Sequence, residues 1–460
     1  MNDPQDSGML SPAWAGIRVA SLDDASWIRA MLRTEVALAN AQARLGLLPL
    51  DSARTIESTA RDLSVDPRVV ASGVHDNSNP AIPLVQELQR AVEIAAPGVG
   101  DHVHLGATSQ DVLDTAAMLV SMNALYELEH LLGTIRAGVV RLIDEHGDLP
   151  MAGRTIGQHA VPVTFGVKAS AWLNGLVDAE RRVSDLIERG LPVSLAGAAG
   201  TLAAYGGYGD QTLGDPLDPF DLVDAVADEL GLDPHYQPWH TVRTPLADLA
   251  SCLSLVNGVL GKIAADVQVM SRTEVGEVSE GADGISTAMP QKQNPVKTTL
   301  VLAASRQVPA LCLVVLQAMM AEDERPVGAW QSEWQPLREA WRCILGSASH
   351  TRELVDGLQI HEAAIDRNLR SSGAGIVAER INIALAPLIG KLEAKSVVRQ
   401  VVLQHRGAGG ALRDALHEAI ATRGGDPSRI DLAELLDPRS YVGSARGITN
   451  RALARSGALD

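Results

Sequence analysis

Aromatic side chains are scarce: two phenylalanines, five tyrosines and seven tryptophans in 460 residues, or 3%. A chain that is 46% hydrophobic with so few rings must build its core from Ala, Leu and Val, which suits close helix-on-helix packing. Positive charge is also short. With 39 Lys and Arg against 56 Asp and Glu the formal charge is −17, which argues against the basic face that nucleic acids and anionic membrane surfaces require. Any anionic ligand therefore has to be held by locally gathered cations. There are three cysteines, Cys252, Cys312 and Cys343, an odd number without ligand spacing. Neither a disulfide framework nor a zinc site is indicated, and a reducing cytoplasm is the expected location. The opening MNDPQDSGML has no basic region followed by an apolar one, so no secretion signal is expected. The longest charge-free apolar run, Val308 to Ala321, is shorter than a bilayer needs and contains Gln317, which predicts a soluble chain.

What is present is helical rhythm. Leu125, Leu128, Leu132, Ile135, Val139 and Leu142 recur in steps of three and four, as do Leu249, Leu253, Val256, Leu260, Ile263, Val267 and Met270. Each series is the seam of a helix lying along a neighbour. Comparable segments near 164–189 and 298–320 give about five long helices between 112 and 365. The expected organisation is all-α, with a mixed helical N-terminal domain over 1–111, a central long-helix bundle over 112–365 and a small helical C-terminal domain over 366–460. Apolar stripes of this length would be left exposed on a lone chain, so self-association is expected. The glycine-rich stretch 194–209 invites a dinucleotide-loop reading. No strand pattern precedes it and no ribose-binding acid follows, so it reads as a crossover between helices.

Four polar, non-helical patches separate or cap the long helices: HDNSNPAIP (75–83), HLGATSQDVLDTA (104–116), MAGRTIGQHAVPVTFG (151–166) and GADGISTAMPQKQNPVK (281–297). Ser, Thr and Asn favour caps and turns, so any one patch is read equally well as structure or as chemistry. The last holds a hydroxyl, Ser286, and a cation, Lys292, in a glycine-flanked loop ended by Asn294-Pro295.

Three of these segments, GATSQDVLDTA, GRTIGQHAVPVTFG and STAMPQKQNPV, resemble the ordered signature regions of the fumarase/aspartase superfamily. NPAIPLV, QPWHTVR, ERPVGAWQSEW and LLDPRSYVGSAR are similar to the 3-carboxy-cis,cis-muconate cycloisomerase branch. The resemblance implies a three-domain, all-α homotetramer with a shared helical core and active sites assembled from three subunits. It implies abstraction of a proton next to a carboxylate, a dianionic aci-carboxylate, and expulsion of a group from the adjacent carbon. The base then falls on Ser286. Lys292 and Asn294 match carboxylate-binding positions, Thr108, Ser109 and Gln110 a second donor set, and Thr155, Gln158 and His159 a third. A serine acts as a base only when its surroundings hold it deprotonated, a task for the loop's N–H groups and Lys292.

Two departures shape the expected reaction. Fumarases and aspartases carry His after the Thr of the GRT motif, paired with Glu four residues after the Pro of the serine loop. Here those positions are Ile156 and Thr299. With both halves of the charged pair gone, a leaving group that requires protonation is badly served and one that departs as a stable anion is not. Cycloisomerases usually place His and Arg around the loop Lys; here Gln291 and Gln293 flank Lys292, with Lys297 as a partial compensation. A dianion tolerates that loss better than a tricarboxylate. The expectation is β-elimination from a 2-substituted succinate to give fumarate, with nitrous acid leaving nitrosuccinate as the leading case. Lactonisation of 3-carboxy-cis,cis-muconate is the alternative, and an inactive structural homologue a distant one. Neither reaction calls for a metal or an organic cofactor.

Arg325 is read either as a bidentate grip on a second carboxylate or as a surface partner of Glu322 or Glu324. Ser78 and Asn79 are further donors, His75 is set aside, Arg154 reads as structural, and His240 as a brace for a neighbouring subunit's site.

Overall fold

A computed structural model describes residues 8–17, 22–213, 217–281, 289, 292–404 and 409–459. The chain is all-α, its described strands amounting to one hairpin and a two-residue pair. It forms two compact units, residues 1–132, 179–260 and 300–349 in the first, and 133–178, 261–299 and 350–460 in the second.

Within the first unit, α1 (Asp24–Arg44), α2 (Leu50–Asp62), α3 (Pro67–Asn77) and α4 (Ala81–Ala95) pack on one another. Their starts are written in the sequence: Asp23 accepts from Ser26 N at 2.8 Å, and Asp66 from Arg68 N at 2.9 Å ahead of Pro67. Five long helices contribute to both units. They are α5 (Ser109–His146), α6 (Phe165–Arg189), α9 (Thr244–Met270), α10 (Val296–Gln317) and α11 (Ala329–Gly357), with α7 (Ala203–Leu213) and α8 (Pro219–Leu230) between α6 and α9. Every residue of the two seams read from the sequence is at most 2% exposed. At roughly 2 kcal/mol for each buried Leu, Ile or Val, these seams are a principal source of stability.

Pro309 lies inside α10 and has no N–H, so the carbonyl of Ser305, four residues earlier, loses its helical partner. The side chain of Asn257, buried on α9, donates to that carbonyl at 3.3 Å. Leaving such a group unpaired would cost about 1–3 kcal/mol.

By length and composition α9 and α10 are long and apolar enough to cross a bilayer, which corrects the reading made from charge-free runs alone. The apolar window of α9 is 56% buried within the chain, that of α10 only 28%. Leu313, Leu316, Met319 and Met320, on and just after α10, are exposed, as is Leu255 on α9.

In the second unit, β1 (Pro150–Thr155) and β2 (Gln158–Thr164) pair antiparallel, Thr155 opposite Gln158. β3 (Val278–Ser279) pairs with β4 (Gln359–Ile360). Helices α12 (Glu362–Ser371), α13 (Ala378–Ile389), α14 (Lys391–Gln404), α15 (Gly409–Ala421), α16 (Leu432–Leu436) and α17 (Ala445–Gly457) follow. Leu369, Ile376, Ile381, Leu385, Val397 and Leu416 gather into one hydrophobic core.

Candidate active site

The first turn of α5 organises the polar residues of the first unit. Asp111, 1% exposed, accepts from Thr108 N at 3.0 Å, the side-chain-to-N-cap half of a capping box at the helix start. The same carboxylate takes Ala196 N at 2.8 Å and Gly197 N at 3.0 Å, so it also fixes the 194–199 crossover, and it meets His240 Nε2 at 2.8 Å. The crossover is thus a loop pinned to a helix start, and His240 serves that anchor inside its own unit. One turn on, Asp114 and Glu333 share the guanidinium of Arg243, all three nearly fully buried. Burial pushes the Glu333 carboxyl up to about 7, more strongly than Arg243 holds it down, with Asp114 adding to the rise.

Gln110 is completely buried, and its Nε2 donates to Asp114 Oδ2 at 3.1 Å and to the His240 carbonyl at 2.8 Å. Both amide protons are therefore committed, and Gln110 has no donor left for a ligand. Its Oε1 accepts from Arg325 Nε at 3.2 Å, and Arg325 Nη2 donates to the Ala198 carbonyl at 3.1 Å. Among the described residues Arg325 makes no ion pair; Glu322 and Glu324 are not its partners. Asn79 caps α4, accepting from Ala81 N at 3.1 Å and Ile82 N at 3.2 Å, while its amide donates to the Asn77 carbonyl at 2.9 Å. Exposed Ser78 ends α3 in the left-handed region, with φ 59°. His75 is exposed beside Asp76.

In the second unit the β1–β2 turn consists of Ile156 and Gly157, with φ of 51° and 74°, the pattern of a type I′ turn. Glycine accepts this freely. Isoleucine pays about 1–2 kcal/mol for it, yet here its side chain stands wholly exposed at the tip. Thr155 and Gln158, also exposed, flank the turn. His159 Nδ1 meets Ser372 Oγ at 2.8 Å, and burial followed by the charge of Arg154 lowers its pKa. Arg154 is structural, as its sequence context indicates. It holds Glu277, which is 0% exposed, through a bidentate pair at 2.9 and 2.6 Å, and Asn368 adds a bond to the same carboxylate at 2.9 Å.

Glu277 leads into the serine loop. Beyond it, Glu280 caps α10 by accepting from Lys297 N at 2.9 Å and Thr298 N at 2.8 Å. Lys297 Nζ lies 2.5 Å from Glu353, whose carboxyl it holds below the usual range. Lys297 is thus already neutralised and does not compensate for Gln291 and Gln293, a correction to the sequence reading. Thr299 Oγ1 donates to the Pro295 carbonyl at 2.7 Å, in the helix's own first turn. Lys292 is exposed and Asn294 half-buried; Asn294 and Gln293 help line a polar cavity of about 220 Å³ with Arg272, Ser279 and His361. Ser286 and Gln291 lie outside the described residues. Among the described residues no hydrogen bond joins Thr155, Gln158 or His159 to Lys292 or Asn294, and no group of three or more His, Cys, Asp or Glu is arranged to hold a metal ion.

The sequence reading missed Arg272 and the Asp114–Arg243–Glu333 triple. A signal for the triple was present: two acids, Asp111 and Asp114, in the opening turns of an otherwise apolar helix.

This all-α chain of long helices belongs to the fumarase/aspartase superfamily of lyases. The family model described as "Lyase" matches residues 11–310. The chain is 44% identical to nitrosuccinate lyase of Streptomyces davaonensis over 97% of its own length and 94% of that protein. It is 38% identical to 3-carboxy-cis,cis-muconate cycloisomerase of Pseudomonas aeruginosa, over 96% and 94%. The crystal structure of 3-carboxy-cis,cis-muconate lactonizing enzyme from Pseudomonas putida superposes with a TM-score of 0.88 at 32% identity, covering 98% of this chain and 99% of that one.

Proposed function

We propose that this lyase eliminates nitrous acid from nitrosuccinate and leaves fumarate. The observation that carries the reading is Ile156. At the turn tip where fumarases and aspartases place one half of an acid pair, this chain presents an exposed hydrocarbon, and Thr299, at the position of the other half, spends its hydroxyl on its own helix. A group that leaves as a stable anion needs no proton at that point, and nitrite is such a group. The full-length likeness to a nitrosuccinate lyase supports the same substrate.

In the proposed reaction Ser286, as the alkoxide, takes the proton on the carbon next to one carboxylate. The electron pair forms the new double bond, the carbon–nitrogen bond breaks, and nitrite departs with its electrons. Lys292 and Asn294 stabilise the aci-carboxylate, Arg325 grips the second carboxylate, and Thr108, Ser109, Thr155, Gln158 and His159 supply neutral donors. The proposal extends to a cytoplasmic homotetramer with sites shared between subunits; apolar side chains left bare on and beside α10 support the association of copies.

The test offers nitrosuccinate and 3-carboxymuconate separately to purified protein, with nitrite and lactone followed in parallel. Nitrite release from the first, abolished in Ser286→Ala with the oligomer intact, is expected. Lactone without nitrite overturns the substrate, and an unimpaired Ser286→Ala enzyme overturns the base.

A further inference from the structure

We infer that Gln110 is a positioning residue, an amide clamped by buried charge so that its oxygen aims the Arg325 guanidinium at the substrate's non-reacting carboxylate. The inference rests on the elimination reading above and adds to it the residue that sets how tightly a dicarboxylate is held.

The argument begins at the buried end. Arg243 is 1% exposed and bonds Asp114 through Nη1 at 2.6 Å and Nη2 at 3.1 Å, with Glu333 on its other side. Trp330 Nε1 adds a bond to Asp114 Oδ1 at 2.9 Å. Asp114 is therefore immobile, and it presents Oδ2 to Gln110 Nε2, whose second partner is the His240 carbonyl. Two acceptors on one side of a buried amide allow only one orientation, because the flipped amide would put its own oxygen against both. Oε1 must then face outward, where it receives Arg325 Nε at 3.2 Å.

The second anchor of Arg325 obeys the same helix start. The carbonyl of Ala198 accepts from Nη2 at 3.1 Å, and the crossover that carries it is held by Asp111 through Ala196 N and Gly197 N. Residues 110 and 111 thus set both contacts. Each is to a neutral oxygen, so the positive charge is oriented without being cancelled. Of the five guanidinium protons two are committed, one on Nε and one on Nη2, and the terminal edge, with one proton from Nη1 and one from Nη2, is the edge that accepts a carboxylate in a fork.

The experiment replaces Gln110 by Met, which removes Oε1 and keeps the buried volume, and measures kcat and KM on whichever of the two substrates the wild type converts. The expected result is a KM about tenfold higher with kcat changed less than threefold, the scale of one lost hydrogen bond to a charged group. In an Arg325→Ala background the same change should have no further effect on KM, since there is no longer a guanidinium to aim. Gln110→Asn, which withdraws the oxygen by about 1.5 Å while keeping the amide, should show the same pattern and serves if Met disturbs folding. An unchanged KM in either variant, or equal effects with and without Arg325, overturns the positioning role. A wild type that releases no nitrite overturns the substrate and leaves this comparison readable on the muconate.

Discussion

Replacing Arg154 by Met should loosen the β1–β2 hairpin far more than the loss of a surface ion pair would. Its partner Glu277 is 0% exposed and Arg154 itself only 16%, with two bonds of 2.9 and 2.6 Å between them. Exposed pairs contribute at most about 1 kcal/mol, whereas breaking a buried one strands a desolvated charge and costs about 3–5 kcal/mol. Among the described residues only Asn368 would remain as a side-chain donor to Glu277 in the variant, through one neutral bond. Three to five kcal/mol corresponds to roughly two to nearly four orders of magnitude in an opening equilibrium. Amide hydrogen exchange over residues 150–164, resolved by mass spectrometry, reads that change directly. The double variant Arg154→Met with Glu277→Met should exchange more slowly than Arg154→Met alone, because the stranded carboxylate is gone. A single variant within fivefold of wild type, or a double variant faster than the single, would refute the assignment of a buried, mutually dependent pair.

Glu333 predicts a pH effect. Its carboxyl is raised from 4.5 to about 7 in the folded chain, so the native state binds more protons than the unfolded state in that interval and stability falls as pH rises through it. The fall should amount to about 3 kcal/mol at the upper end, and thermal midpoints of Glu333→Gln across pH 5 to 8 should lose that share of the slope. Asp111→Asn should be nearly as damaging as Asp111→Ala, at about 3 kcal/mol or more, because in either orientation the amide nitrogen would face a buried N–H that now meets a carboxylate oxygen, that of Ala196 at Oδ1 or those of Gly197 and Thr108 at Oδ2. Denaturation midpoints of the two variants decide it, and a mild Asn variant would sink the capping role.

The long helices were legible because apolar residues at steps of three and four have no other use in a chain with so few aromatic rings. Leu125 to Leu142 and Leu249 to Met270 are buried along their whole length. The caps at Asp23 and Asp66 went unread although they are local, each side chain and its N–H partner lying within three residues. What the sequence concealed is long-range. Nothing near Lys297 announces Glu353, and Asp111 finds His240 129 residues away. The hairpin turn escaped notice because Ile-Gly does not carry the Asn-Gly pattern that usually marks a type I′ turn. Gln110 sits in a polar patch that reads as donors to a ligand, and only its complete burial reveals that its protons are already spent.

The proline of α10 and the asparagine of α9 form a lock whose two halves are hard to change one at a time. Losing Asn257 abandons a carbonyl, and losing Pro309 restores that carbonyl's own helical mate and leaves a buried amide with nothing to hold. Drift at either position is therefore gated by the other. Descendants of this chain should keep both or exchange both, so that a mutational scan would find these two sites intolerant singly and permissive as a pair.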